Sequence, residues 1–64
     1  MVNTDEIRAR MALLGITQKD LAKTIGISEK TMSFKMRSGK FGLEEAKILI
    51  QVLDIKNPSE IFFA

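Results

Sequence analysis

Cysteine and histidine are both missing from the 64 residues. Their absence excludes disulfides, thiolate nucleophiles, imidazole acid/base catalysis and the usual zinc sites together. The chain also has no Gly-rich phosphate loop and no convergent pair of carboxylates, so an enzyme is not expected, and neither a metal nor any other cofactor is implied. No apolar run approaches the roughly 20 residues that span a bilayer. The N-terminus MVNTDEIRAR lacks the charged and apolar regions of a signal peptide, and a cytoplasmic location is expected. No segment alternates with the period of a β-strand, and there is no repeat, linker or low-complexity stretch. The expectation is one all-α domain over residues 1–64, near the lower size limit for an uncrosslinked core and held by packing alone.

Charge is sparse in net terms and uneven in distribution. The formal net charge is +2, yet Lys30, Lys35, Arg37 and Lys40 fall within eleven residues that contain no acid. The rest of the chain is therefore net negative. A basic stretch on one helix and the loop after it is the footprint of a polyanion-binding surface, although four charges at this density also describe an ordinary solvated face.

Helix punctuation is clear along the whole chain. Thr4 reads as an N-cap followed by Asp5 and Glu6, with Ile7, Met11 and Leu14 on one face and Gly15 as the stop. Thr17 caps a second helix, with Asp20 completing a capping box and Ile16 placed to staple against Leu21. Ser28 opens a third helix whose inward residues are Met32 and Met36. Ser38, Gly39 and Lys40 form a loop before a fourth helix that runs from near Gly42 to about Leu53. On that helix Leu43, Ala46, Leu49, Ile50 and Leu53 share the core face. Asn57 before Pro58 signals a short final helix over residues 58–62.

The stretch Gln18–Arg37, QKDLAKTIGISEKTMSFKMR, is the most informative part of the sequence. Ala22 is the one small residue where a second helix would cross the first, and Gly26 stands where the chain must turn with φ > 0. Ile25 and Ile27 clamp both helices to a shared core. Small residue, glycine, cap and apolar clamp sit at the distances of a helix-turn-helix.

With Gln18, Leu21, Ala22, Ile25, Gly26, Ile27, Ser28, Met32 and Gly39 followed by LEEAKILIQVLDI, the chain resembles the Cro and lambda-repressor type of helix-turn-helix, the XRE family. The resemblance extends from about Ile7 to Ile61. It implies a compact domain of four or five helices that binds double-stranded DNA. Members serve as transcriptional repressors of phages, prophages and mobile elements, or as antitoxins. The ending NPSEIFF resembles short phage-encoded members. One departure is that Lys35 and Met36 end the third helix where many members place the apolar residue one position earlier.

In such a motif the third helix, residues 29–37, lies in the major groove. With Met32 and Met36 inward, Glu29, Lys30, Ser33, Phe34 and Arg37 form the outward set. Lys30 matches guanine N7 and O6, Glu29 matches cytosine N4, and Phe34 matches a thymine methyl. Gln18, Ser28, Lys35, Ser38 and Lys40 are placed for the phosphate backbone. Each has a plainer alternative: Phe34 as a core aromatic, Glu29 as a first-turn acid that complements the helix dipole, and Gln18 as a solvated residue.

The fourth helix raises a separate question, because Ile48 and Val52 point away from its core face. Either the tail residues Ile61, Phe62 and Phe63 fold back over them, or Ile48, Val52, Phe62 and Phe63 form a two-fold contact in a homodimer. Both arrangements are compatible. The expected partner is thus a DNA operator bound by a homodimer, in a nucleoid-associated setting, with no membrane and no small-molecule ligand. An antitoxin-like or protein-interaction module on the same fold is the alternative.

Overall fold

Five helices and the short turns between them make up residues 2–62, which the computed structural model describes. They are α1 (Thr4–Leu14), α2 (Gln18–Ile25), α3 (Glu29–Ser38), α4 (Leu43–Val52) and α5 (Pro58–Phe62). No strand is present among the described residues. The all-α expectation of four or five helices therefore holds, with five present among the described residues.

The start of α1 corrects the sequence reading by one residue. Asn3 is the N-cap, its Oδ1 accepting the Glu6 N–H at 3.3 Å, and Thr4 is the first helical residue. An asparagine amide oxygen caps as well as a threonine hydroxyl, and this register places Asp5 and Glu6 in the first turn, where the helix dipole favours acids. At α2 the capping box forms as expected. Thr17 Oγ1 accepts the Asp20 N–H and Asp20 Oδ2 accepts the Thr17 N–H, both at 3.0 Å. Ser28 Oγ accepts the Thr31 N–H at 3.1 Å and so caps α3. Ser38 belongs to α3 rather than to the loop, because the left-handed turn comes one residue later, at Gly39 (φ 71°).

Helix ends follow a shared pattern. In α1 the N–H groups of Gly15 and Ile16 return to the carbonyls of Ala12 and Met11, and in α2 the Ile27 N–H returns to Ala22. This is the Schellman arrangement, which needs a left-handed residue just past the helix and brings the following apolar side chain back toward the last turn. Gly15 and Gly26 supply that conformation in the first two helices, and α4 repeats the arrangement with Asp54 (φ 51°), whose successor Ile55 donates its N–H to the Ile50 carbonyl at 3.0 Å.

The core unites Ile7, Met11, Leu21, Ala22, Met32, Met36, Ala46, Leu49, Leu53, Ile55, Ile61 and Phe62, with Ile16, Ile25, Ile27, Ile50 and Val52 packed against it. Two residues expected inside are outside. Leu14 is 43% exposed because it is the last residue of α1, where the helix has run past its neighbours. Leu43, at 67% exposure, lies roughly 80° around α4 from Leu53 and so points off the buried stripe. Phe62 corrects the dimer-contact expectation, since it is buried in the chain's own core; Phe63 lies outside the described residues. Val52 packs against that same core and Ile48 is half-buried.

The two ends of the described chain are tied together. Asn3 donates its N–H to the Ile61 carbonyl at 2.7 Å, so α5 is docked on the start of α1. Arg10, also on α1, donates from Nε and Nη2 to the Leu53 carbonyl at 3.0 and 2.8 Å, and from Nη2 to the Asp54 carbonyl at 3.3 Å. A guanidinium fork thus satisfies open carbonyls at the C-terminal end of α4, where the dipole favours a cation.

Candidate nucleic-acid interface

Helices α2 and α3 pack on each other more extensively than any other pair. Ala22 is only 2% exposed, as the crossing of two helices on a methyl-sized side chain requires. Burial of Met32 and Met36 fixes the rotation of α3 along its whole length. Glu29, Lys30, Phe34 and Arg37 are consequently exposed, and Ser33 is half-buried at the edge of the same face. Phe34, at 59% exposure, is not a core residue.

Gln18 and Ser33 are brought into direct contact. Gln18 is the first residue of α2, and its Nε2 donates to Ser33 Oγ at 2.6 Å. The contact joins a side chain expected on phosphate to one expected on a base edge. Sequence reading places both residues but not the bond between them, because the bond depends on how the two helices cross. Ser28 has its hydroxyl engaged locally, donating to Thr31 Oγ1 at 2.9 Å while it caps α3. Ser38 Oγ accepts the Lys40 N–H at 3.3 Å and so shapes the turn that presents Lys40.

Lys35 departs from its expected place on the phosphate backbone. Its Nζ lies 3.0 Å from Glu45 Oε1, with about four-fifths of each side chain covered. The same Glu45 oxygen accepts the Gly42 N–H at 2.8 Å, which closes the start of α4. Lys35 precedes Met36 and so leans toward the buried side of α3, where a carboxylate on α4 meets it. Partial burial pushes the Glu45 carboxyl up, but the Gly42 N–H and the Lys35 ammonium together hold it below the ordinary glutamate value. Asp20 is likewise held low, chiefly by the Thr17 backbone N–H.

What remains of the basic cluster is Lys30, Arg37 and Lys40, all exposed and without an ion pair among the described residues. Three free cations, a hydroxyl and an exposed aromatic along one helix face and the following turn can meet phosphates, base edges and a thymine methyl respectively. Glu45 and Arg10 carry no assignment from the sequence. Arg10 gives a faint signal there, since it lies three residues after Ile7 on a face that otherwise turns inward. No helix among the described residues is long and apolar enough to cross a membrane.

Residues 6–62 match the Cro/C1-type helix-turn-helix DNA-binding domain, and the chain belongs to that family. The XRE-type resemblance drawn from the motif is therefore correct, and the protein is a DNA-binding helix-turn-helix domain with double-stranded DNA as its partner. Comparison with curated proteins and with solved structures gave no match.

Proposed function

We propose that the protein is a sequence-specific transcriptional regulator, a Cro-like repressor of phage or prophage type, which inserts α3 into the major groove and works as a homodimer on its operator. It acts by binding and carries out no catalysis, in the cytoplasm and at the nucleoid. The observation that carries this reading is the outward face of α3, where Glu29, Lys30, Phe34 and Arg37 are exposed beside Ser33 while Met32 and Met36 anchor the opposite side. Such a face can distinguish base pairs, whereas a purely electrostatic binder has no use for an exposed phenylalanine among its cations. Gln18 and Lys40 hold the domain on the backbone at either end of the motif. A homodimer follows from scale, because one short helix reads only a few base pairs and two related by a two-fold axis read half-sites about one helical turn apart.

Selection from random duplexes with the purified protein tests this directly. The expected outcome is an inverted repeat with half-sites about 10 base pairs apart, whose occupancy falls steeply with salt. A reporter placed downstream of the selected site is expected to fall in output when the protein is expressed. Recovery of unselected sequence, or binding that salt leaves unchanged, contradicts the reading.

A further inference from the structure

The bond between Gln18 and Ser33 bears on which bases the protein accepts. A serine hydroxyl has one hydrogen to donate and two lone pairs, and for that reason an unconstrained serine pairs with donors and acceptors in the major groove alike. Here Gln18 Nε2 donates to Ser33 Oγ at 2.6 Å, so one lone pair is already engaged. A helical serine often turns its hydrogen back to the carbonyl one turn earlier. Thr24 makes that bond in α2, donating to the Asp20 carbonyl at 3.0 Å, whereas among the described residues the Ser33 hydroxyl donates to no backbone carbonyl. Ser33 also lies beside the exposed Lys30, Phe34 and Arg37, half-buried at the edge of the outward face of α3.

We infer that Gln18 is a positioning residue for specificity: by donating to Ser33 it makes the serine hydroxyl a hydrogen-bond donor toward DNA, so that the contacted base must present an acceptor. The inference rests on α3 occupying the major groove. Guanine (N7 and O6), adenine (N7) and thymine (O4) meet the requirement. Cytosine, which presents only its N4 amino donor, would leave the Ser33 hydrogen unpaired in a desolvated interface and is rejected. Gln18 thereby influences sequence choice as well as holding phosphate.

The test uses full-length protein and competition between duplexes that differ at one base pair. Ser33→Ala first locates the contacted position as the one where discrimination disappears. Wild type is expected to disfavour cytosine there by at least about fivefold, the lower end for a base contact. Gln18→Lys retains a donor facing Ser33 and is expected to keep that profile. Gln18→Glu offers only an acceptor, so the serine hydrogen turns inward, its lone pairs face the groove, and cytosine is expected to change from a rejected base to an accepted one at that one position, together with adenine, whose N6 amino group is the other donor. Both variants change charge at the phosphate and affect total affinity, but the ratio between duplexes is internal to each protein. Thermal melts establish that each is folded, and any shared structural damage cancels in the comparison of Lys with Glu. Identical profiles for the two variants, or a wild-type preference for cytosine, overturn the inference and leave the DNA reading intact. Absence of any sequence preference in wild type overturns both.

Discussion

At the scale of single residues, the positive-φ positions and the α3–α4 ion pair make separate demands. At Gly26 (φ 89°) a Cβ would meet nothing within 4 Å, so the requirement for glycine is conformational rather than steric. Gly26→Val is expected to lose about 1–3 kcal/mol, and Gly26→Asn clearly less, because asparagine tolerates the left-handed region. Thermal melts that show the two variants equally stable contradict this. Asp54 holds the same kind of position without being glycine, and its Lys56 contact is exposed. Asp54→Gly is therefore expected to gain about 0.5–1 kcal/mol, read as a rise of a few degrees in Tm. Lys35 and Lys40 separate by role. Lys40→Ala is expected to reduce the slope of log affinity against log salt by about one unit, whereas Lys35→Ala leaves the slope nearly unchanged and lowers stability instead. The carboxylate partner sets a pH dependence. Both Glu45 and Asp20 are held below their ordinary values of 4.5 and 3.8, so their contributions are present above those values and vanish as the pH falls through the lower folded ones. Glu45→Gln is expected to flatten the acid limb of a stability-versus-pH curve.

At the scale of elements, the helix pair proposed to meet DNA, α2 with α3, is also the most extensively packed pair, with Ala22 buried. Ala22→Leu forces α2 and α3 apart and is expected to cost on the order of 1–3 kcal/mol, with a fall in Tm of about 4–8 °C for each kcal/mol in a domain this size. A variant that melts with the parent would remove Ala22 from the crossing point. The motif is legible in the sequence because its determinants are local: Thr17 with Asp20, Ala22 with Gly26, and Ser28 with Thr31 and Met32 all interact within a few residues. Leu43 and Leu14 escape such a reading because helical periodicity gives direction around an axis but not where the neighbouring helix ends. The Lys35–Glu45 pair and the Gln18–Ser33 bond are invisible for a related reason, since each joins different helices. Phe34 has two readings in sequence, and the burial of Met32 and Met36 decides between them by setting the rotation of α3.

At the scale of the whole molecule, the burial of Phe62 narrows the surface available for self-association to α4 and its surroundings. Within the homodimer proposed for DNA, Ile48 is the substitutable residue, since Val52 packs against the core. Ile48→Asp is expected to reduce cooperative occupancy of a two-half-site operator by roughly tenfold, equivalent to about 1.4 kcal/mol, with half-site affinity nearly unchanged. Electrophoretic titration on single and double half-sites distinguishes the two effects, and an equal loss on both places Ile48 outside the contact. The ties between chain ends have a different kind of consequence. The α2–α3 pair is assembled from neighbouring residues, whereas the Arg10 fork reaches a carbonyl 43 residues away. Local contacts form early and long loops close late, so the tie between α1 and the far helices is expected to open first under mild denaturant. Hydrogen exchange then separates two amides: that of Asn3, bonded to Ile61, exchanges through this partial opening, while that of Met32, bonded to Ser28 at 2.9 Å, waits for global unfolding. The surface proposed to meet DNA would thus persist through fluctuations that briefly release both ends of the chain.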